Sequence, residues 1–233
     1  VPTSTLHHCS GLVTFIAAYH YIRIFNSWVE AYSFPAPVDG AIGDPTATGV
    51  PFNDAYRYMD WLLTVPLLLI EIVLVMNLTP EESSKQCKNL GVSSALMIIL
   101  GYPGELILDP EQMGTRFFYW FLGMIPFVFI VYTLLVGLTD AINSETDPDI
   151  KAKVNAACVW TVISWCTYPV VYVTPMLGVH GSQAVVFIQL GYCVADVISK
   201  CGVGLIIYQI TNAKSRDALA EELVSSGNVS RDA

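Results

Sequence analysis

The chain has 233 residues, of which 54% are apolar and only 13% charged, with a formal net charge of -9 at pH 7. Soluble domains spend about 25% of their residues on charge, so this composition excludes an ordinary soluble protein and indicates a membrane protein. The acidic residues lie mainly in the connections and the tail, and we predict no nucleic-acid partner.

Six apolar runs are long enough to cross a bilayer as helices, which takes about 20 residues each. They lie near residues 9–33, 54–78, 89–108, 116–138, 154–177 and 183–211. The connections between them are too short to hold a second domain. We therefore predict one all-α membrane bundle over residues 1–212, followed over 213–233 by a polar tail that is mobile from residue 217 onwards.

The connections carry signals for turns, helix starts and orientation. Residues 33–53 are rich in Pro, Gly, Ala and Asp and predict an external loop, whereas Thr79 to Glu82 predict a helix N-cap with acids in the first turn. Basic residues collect in alternate connections, at Lys85, Lys88, Lys151, Lys153, Lys214 and Arg216. Because such residues mark the cytoplasmic side, we predict a multi-pass membrane protein with a cytoplasmic C-terminus.

The second run contains three ionisable residues, Arg57, Asp60 and Glu71, together with Thr64. Their spacings of three, four and seven residues place all four on one face of a helix. Ionisable groups at membrane depth are costly and mark ion paths, proton relays or ligand counter-ions. Asp60 lies in the outer half and Glu71 in the inner half, roughly 16 Å apart along the axis. Two carboxylates at different depths predict a path for protons.

The sixth run places Asp196 and Lys200 four residues apart and therefore on the same side of a helix. A buried lysine has two plausible uses: a structural ion pair, or a desolvated amine that forms a Schiff base with an aldehyde. An isolated pair favours the structural interpretation. The second carboxylate, Asp60, favours the Schiff base, which needs both a counter-ion and a titrating acceptor.

Aromatic residues recur on one face of the fifth run, at Trp165, Tyr168 and Tyr172. Ordinary helix packing explains most stripes of this kind. Beside a buried lysine, however, they can form the walls of a slot for a long, flat, apolar ligand. The residues therefore indicate a covalent chromophore, although they do not name it.

Three segments, at residues 57–68, 165–172 and 196–204, resemble the third, sixth and seventh helices of the microbial (type 1) rhodopsins. The resemblance extends from about Ser10 to Tyr208. It implies a seven-helix rhodopsin-type bundle, of which six spans are evident here; the first run matches the second family helix, so the N-terminal helix is expected to be missing. It also implies that Lys200 carries all-trans retinal as a protonated Schiff base.

The resemblance further implies a role for each site residue. Asp60 is expected to be the counter-ion and proton acceptor, Asp196 the second counter-ion, and Arg57 the guanidinium that stabilises both. Thr64 is expected beside the chromophore. The positions that match the retinal pocket are Trp61, Leu68, Trp120, Trp165, Tyr168, Pro169 and Tyr172.

The subtype depends on positions 60, 64 and 71. Asp60, Thr64 and Glu71 match the proton pumps, with Glu71 as proton donor; chloride pumps lack the first acid, sodium pumps have Asn and Gln at positions 60 and 71, and sensory members commonly lack the inner carboxylate. Glu71 and residues 10–21 are similar to the proteorhodopsin-like pumps, in which a histidine matching His20 hydrogen-bonds the counter-ion. Leu68 goes with green absorption in that group.

The sequence thus predicts a light-driven outward proton pump, which is a transporter and not an enzyme. Its expected partners are protons and the lipid bilayer, with a possible homo-oligomer. The alternatives are a sensory photoreceptor that signals through a partner, a light-gated ion channel, and a transporter without photochemistry. One departure concerns the outer mouth, where the paired glutamates of the archaeal pumps are replaced by Leu177 and Ile188.

Overall fold

The computed structural model describes residues 3–35, 45–76 and 78–229, and residues 36–44 of the predicted external loop lie outside this part of the chain. The helices are α1 (Thr3–Ala31), α2 (Ala55–Leu74), α3 (Pro80–Glu105), α4 (Met113–Tyr132), α5 (Thr139–Asn143), α6 (Pro148–Trp165), α7 (Thr167–Tyr172), α8 (Gly181–Asp196) and α9 (Gly202–Val229). Strands β1 (Tyr32–Ser33) and β2 (Thr46–Ala47) pair antiparallel between α1 and α2.

Short turns join several of these helices into longer stretches. A π-helical turn at Thr133–Gly137 joins α4 to α5, and a second at Val197–Cys201 joins α8 to α9. The described residues therefore contain six long helical stretches, as the sequence predicts. One expectation is wrong: α9 continues to Val229, so the segment after residue 217 is largely helical.

Local sequence explains where the helices begin. At the start of α3 the Thr79 hydroxyl accepts a hydrogen bond from the Glu82 N–H, and the Glu82 carboxylate accepts one from the Thr79 N–H, both at 3.3 Å. This reciprocal arrangement satisfies two donors that the first helical turn leaves free, and it confirms the predicted N-cap. Asp147 caps α6 more simply, because its carboxylate accepts hydrogen bonds from the N–H groups of Asp149 and Ile150.

Two local features shape the helices that carry the predicted chromophore residues. Pro169 has no N–H to donate to the Trp165 carbonyl, and the helix is interrupted at Cys166 between α6 and α7. At the other site, the Trp160 indole N–H donates to the Ile198 carbonyl at 3.2 Å, within the π-helical turn. A β-carbon at Gly202 would lie 2.1 Å from that indole nitrogen, so glycine allows α6 to pack closely against the turn that holds Lys200.

The polarity of the bundle is that of a membrane protein. Arg57 and Asp60 are 1% and 0% exposed, whereas Phe15 and Val170 are 72% and 66% exposed. Large apolar side chains on the outside and charges on the inside suit a lipid environment, where ionisable residues face the interior of the bundle.

Three of the six stretches are long and apolar enough by themselves to span a membrane: Pro110–Asn143, Pro148–Tyr172 and Gln183–Asp217. The other three do not meet the same criteria of length, hydropathy and charge. α2 holds Arg57, Asp60 and Glu71, and α3 begins with a charged first turn. In α2 the charges that reduce its hydropathy are the ones that point into the bundle.

Candidate functional site

The polar stripe of α2 faces the interior of the bundle along its whole length. Arg57, Asp60, Thr64 and Glu71 are each exposed by 1% or less, whereas Met59 on another face is 47% exposed. The prediction that these four residues share one inward face is therefore confirmed. The stripe presents charged and hydrogen-bonding groups to the centre of the molecule at several depths.

Lys200 lies between the two carboxylates that the sequence singled out. Its Nζ contacts Asp60 Oδ2, and it lies 3.5 Å from Asp196 Oδ1. On the other side of Asp196, Arg57 Nη1 lies 3.4 Å from Oδ2. Two cations and two carboxylates thus form one buried cluster, whose formal charges sum to zero.

Arg57 differs from the expectation that it would support both acids. Its guanidinium contacts Asp196, the Tyr21 hydroxyl, Gln189 and Cys193, and within the described chain it makes no contact with Asp60. The reason is geometric, because Asp60 lies one helical turn further along α2 and faces Lys200 instead. Arg57 is therefore a partner of Asp196, and it lies on the side of that carboxylate away from Lys200.

The two carboxylates have unequal surroundings. Asp196 accepts hydrogen bonds from the Tyr21 hydroxyl at 2.6 Å, the Tyr168 hydroxyl at 2.7 Å and the Trp61 indole N–H at 3.0 Å. Asp60 Oδ1 is buried and has no hydrogen-bond partner among the described residues. Asp196 is thus surrounded by hydrogen-bond donors, whereas Asp60 has an oxygen that is free to take up a proton.

Two further predicted residues lie close to Asp60 in the sequence or the fold. The Thr64 hydroxyl donates to the backbone carbonyl of Asp60 at 2.8 Å, so it braces the helix and leaves the carboxylate free. His20 on α1 is half-buried, and its Nδ1 is without a hydrogen-bond partner within the described parts of the chain. The hydrogen bond from His20 to Asp60 that the resemblance implies stays a prediction.

Glu71 lies apart from the Lys200 cluster. The Ser10 hydroxyl on α1 donates to Glu71 Oε1 at 3.0 Å, and Oε2 is buried without a partner among the described residues. Its neighbours Leu69, Ile72 and Val73 are fully buried and belong to the larger apolar core. Eleven residues of helix separate it from Asp60, which corresponds to roughly 16 Å. Glu71 is thus an isolated buried acid in the other half of the bundle.

An apolar cavity adjoins the Lys200 side chain. All seven residues predicted to form a pocket line it: Trp61, Leu68, Trp120, Trp165, Tyr168, Pro169 and Tyr172. The polar ends of two of them are satisfied by backbone carbonyls, since the Trp120 indole N–H donates to Pro169 and the Tyr172 hydroxyl donates to Gly101. Their ring faces are therefore available to an apolar ligand.

The cavity fits retinal in its chemistry and shape. A β-carbon at Gly101 would meet no atom within 4 Å, so this glycine borders open space inside the wall. Eight of the residues that line the cavity are aromatic, and the Lys200 amine is present for covalent attachment. An extended polyene with an aldehyde end matches this combination of apolar walls and one buried amine.

Sequence reasoning missed several residues that complete the cluster. Tyr21 and Gln189 both bind the Arg57 guanidinium, and Tyr192 packs edge-on against Trp61 with ring centroids 4.8 Å apart. Gln189 had a detectable signal, because it is a polar residue in an apolar run about two helical turns before Asp196. Tyr21 had none, because a tyrosine in the middle of an apolar run is an ordinary packing residue.

Comparison with known proteins gives a consistent set of relatives. The family model described as bacteriorhodopsin-like protein matches residues 2–213. A green-light absorbing proteorhodopsin of a gamma-proteobacterium is 29% identical over 209 residues, which cover 90% of this chain and 74% of the relative. The bacteriorhodopsin of Halobacterium salinarum is 31% identical over 168 residues, which cover 69% and 60%.

Solved structures agree with these sequence relatives. The crystal structure of xanthorhodopsin, described as a light-driven ion pump with dual chromophore, superposes with a TM-score of 0.81 at 42% identity. The match covers 94% of this chain and 84% of xanthorhodopsin. The crystal structure of a thermophilic rhodopsin matches with the same TM-score and coverage at 40% identity.

Proposed function

This chain belongs to the bacteriorhodopsin-like family, and from that premise we propose that it is a light-driven outward proton pump with all-trans retinal attached to Lys200. It is a multi-pass membrane protein and a transporter, not an enzyme. The observation that carries the proposal is the inequality of the two acids beside Lys200. Asp196 is saturated with donors, whereas Asp60 has a free oxygen and shares its helix face with a second buried acid, Glu71.

The first proton transfer connects two groups that are already in contact. Bound retinal supplies absorption of visible light and an isomerisation that weakens the hold of the Lys200 nitrogen on its proton. Asp60 Oδ2 accepts this proton from Lys200 Nζ, since the two atoms are in hydrogen-bond contact. Asp196 stays ionised through Arg57 and its three hydroxyl and indole donors, and it keeps the Lys200 side chain oriented.

The second transfer restores the proton from the opposite half of the bundle. Glu71 holds a proton in the dark on the oxygen that Ser10 does not bind, donates it to Lys200 Nζ and then takes up another proton from the cytoplasmic solution. Basic residues in alternate connections support an orientation with Glu71 in the cytoplasmic half, on the side of the C-terminus. Because the acceptor lies outside and the donor inside, each cycle moves one proton outwards. Leu68 in the cavity wall supports green absorption.

The pump is tested by reconstituting the chain with retinal in liposomes and recording light-driven currents at several membrane voltages. We expect a steady current whose sign is independent of voltage and which gives a pH change that a protonophore abolishes. The same chain prepared without retinal serves as the control and gives no current. A current that reverses with voltage identifies a channel, and a coloured protein without steady transport identifies a photosensor; either result contradicts the proposal.

Replacing Glu71 by glutamine should slow the return of the proton to the Lys200 nitrogen. A glutamine side chain keeps the shape and accepts the Ser10 hydrogen bond, but it has no proton to give, so the proton must come from the cytoplasmic solution. We expect recovery at least about 10²-fold slower, the usual contribution of a positioned acid, and newly dependent on pH. Flash photolysis measures it.

The matched control is Glu81→Gln, which makes the same substitution at an exposed position in the first turn of α3. Its recovery should equal that of the unmodified protein. Unchanged recovery in Glu71→Gln would remove Glu71 from the role of donor.

A further inference from the structure

The outer end of the cluster contains a carboxylate to which the pumping mechanism assigns no role. Asp54 immediately precedes α2 and is half-buried, so it borders the outer solution in the proposed orientation. The two positions where archaeal pumps keep paired glutamates hold Leu177, which is 77% exposed, and Ile188, which is 2% exposed. Neither side chain can release a proton.

A continuous set of hydrogen bonds connects Asp54 to the Lys200 cluster. The Gln189 amide N–H donates to Asp54 Oδ1 at 2.9 Å, and the amide oxygen accepts from Arg57 Nη2 at 2.9 Å and from Nε at 3.2 Å. Arg57 in turn pairs with Asp196. Gln189 is 7% exposed, so the connection runs through the interior of the protein.

A second acid on this side of the bundle, Glu105, differs from Asp54 in that it forms an ion pair. It pairs with Arg116 at 3.1 Å and accepts hydrogen bonds from the Tyr192 and Tyr58 hydroxyls. Arg116 also binds the backbone carbonyls of Gly104, Ile107 and Tyr172, which ties α3, α4 and α7 together. This buried pair has the features of a structural clamp, whose charges are held in place. Asp54 has no ion pair among the described residues.

We propose that Asp54 is the outer proton-release group, coupled to the Lys200 cluster through Gln189 and Arg57. This inference rests on the proposed pumping function. Transfer of the proton from Lys200 Nζ to Asp60 neutralises both groups together, so Arg57 and Asp196 remain as the charged pair of the cluster. The hydrogen bonds from Arg57 to Gln189 and from Gln189 to Asp54 carry this rearrangement of charge outwards, and the Asp54 carboxyl loses its proton to the outer solution. Later in the cycle the proton held by Asp60 replaces it, so one proton leaves per cycle.

The surroundings of Asp54 suit a group that changes protonation near neutral pH. Burial and the nearby Glu105 carboxylate raise the pKa of Asp54 to about 7, while Arg57, the hydrogen bond from Gln189 and Arg116 act in the opposite direction. Tyr32 on β1 also faces this carboxylate. Below this pKa Asp54 carries a proton in the dark and can release it early. Above it Asp54 is already ionised, so early release is lost.

The test compares the timing of proton release with the state of the Lys200 nitrogen after a flash. A pH-sensitive dye in the outer solution reports release, and visible absorption reports loss and return of the proton on nitrogen. In the unmodified protein we expect release before the nitrogen regains its proton. In Asp54→Asn, an isosteric change at a helix cap that makes no side-chain capping bond, early release should be lost.

The unmodified protein measured roughly one unit above the pKa of Asp54 should behave like the variant. The matched control, Asp109→Asn, removes an exposed acid at the same end of the bundle and should leave release timing unchanged. Early release that persists in Asp54→Asn, or that disappears only in Glu105→Gln, would overturn the assignment. If the Lys200 nitrogen never loses its proton after the flash, the pumping function itself is contradicted. The visible absorption trace distinguishes this result from a failure of the Asp54 assignment alone.

Discussion

Replacing Lys200 by alanine should give a colourless protein that transports nothing in the light. The cavity would keep its aromatic walls, but no amine would remain for covalent attachment, so the visible absorption band should be lost completely. The measurement is a visible spectrum after addition of retinal, followed by the liposome assay. In the unmodified protein, hydroxylamine under illumination should bleach the band.

The alanine variant also leaves the Asp60 carboxylate without its cation. Removing one partner of a buried ion pair costs about 3–5 kcal/mol, so a loss of folding in Lys200→Ala would reflect this cost and not the missing attachment. Lys200→Arg avoids this difficulty, because it keeps the positive charge beside Asp60 and its guanidinium forms no such link with an aldehyde. Both variants should be colourless, and the control Lys153→Ala, at a partly exposed site in the first turns of α6, should keep the full band. A visible band of normal intensity in folded Lys200→Arg contradicts the attachment.

Replacing Asp60 by asparagine should shift the absorption maximum to the red and stop proton pumping. The carboxylate next to Lys200 stabilises the positive charge on the nitrogen in the dark more than after excitation, when that charge moves away along the chromophore. Without the carboxylate, the energy difference between the dark state and the excited state becomes smaller, and absorption moves to longer wavelength. Transfer of the proton from nitrogen should slow by about 10² or more, because no acceptor is in contact.

Two comparisons make this prediction specific to the acid at position 60. Asp60→Glu restores a carboxylate and should recover part of the transport, which a purely structural role of Asp60 does not predict. Acid titration of the unmodified protein should shift its absorption maximum to the red in a similar way. The absorption maximum of Asp60→Asn should already lie at the longer wavelength at every pH. Normal pumping by Asp60→Asn would eliminate the acceptor assignment.

The burial of the charged cluster explains why substitutions at Lys200 and Asp60 should have large effects. Arg57, Asp60 and Asp196 are 2% exposed or less, so water screens their interactions only weakly. A substitution that removes one of the four charges leaves the cluster with a net charge, which changes the electrostatic potential at the neighbouring groups. The same property connects the change at Asp60 with the outer carboxylate Asp54, although the two acids do not touch.

Local sequence was sufficient for several parts of the fold and the site. The apolar runs and the capping signal at Thr79 depend on residues that are close in the chain, and both were predicted. The inward stripe of α2 follows from helical periodicity alone. Lys200 and the aromatic face of Trp165, Tyr168 and Tyr172 were singled out from the residue pattern, and resemblance to a family supplied the other pocket residues; the structure places all eight around one cavity.

Partner choice within the site depended on the tertiary structure. Lys200 meets Asp60 across 140 positions of the chain, Arg57 meets Asp196 across 139, and Gln189 meets Asp54 across 135. No periodicity specifies whether a cation will face an acid on its own helix or one on another helix, and within the described residues Arg57 pairs with Asp196 and not with Asp60. The sequence by itself determined which residues point inwards, because that depends on the repeat of the helix. Only the packing of α1, α2 and α8 against one another decided which inward groups touch.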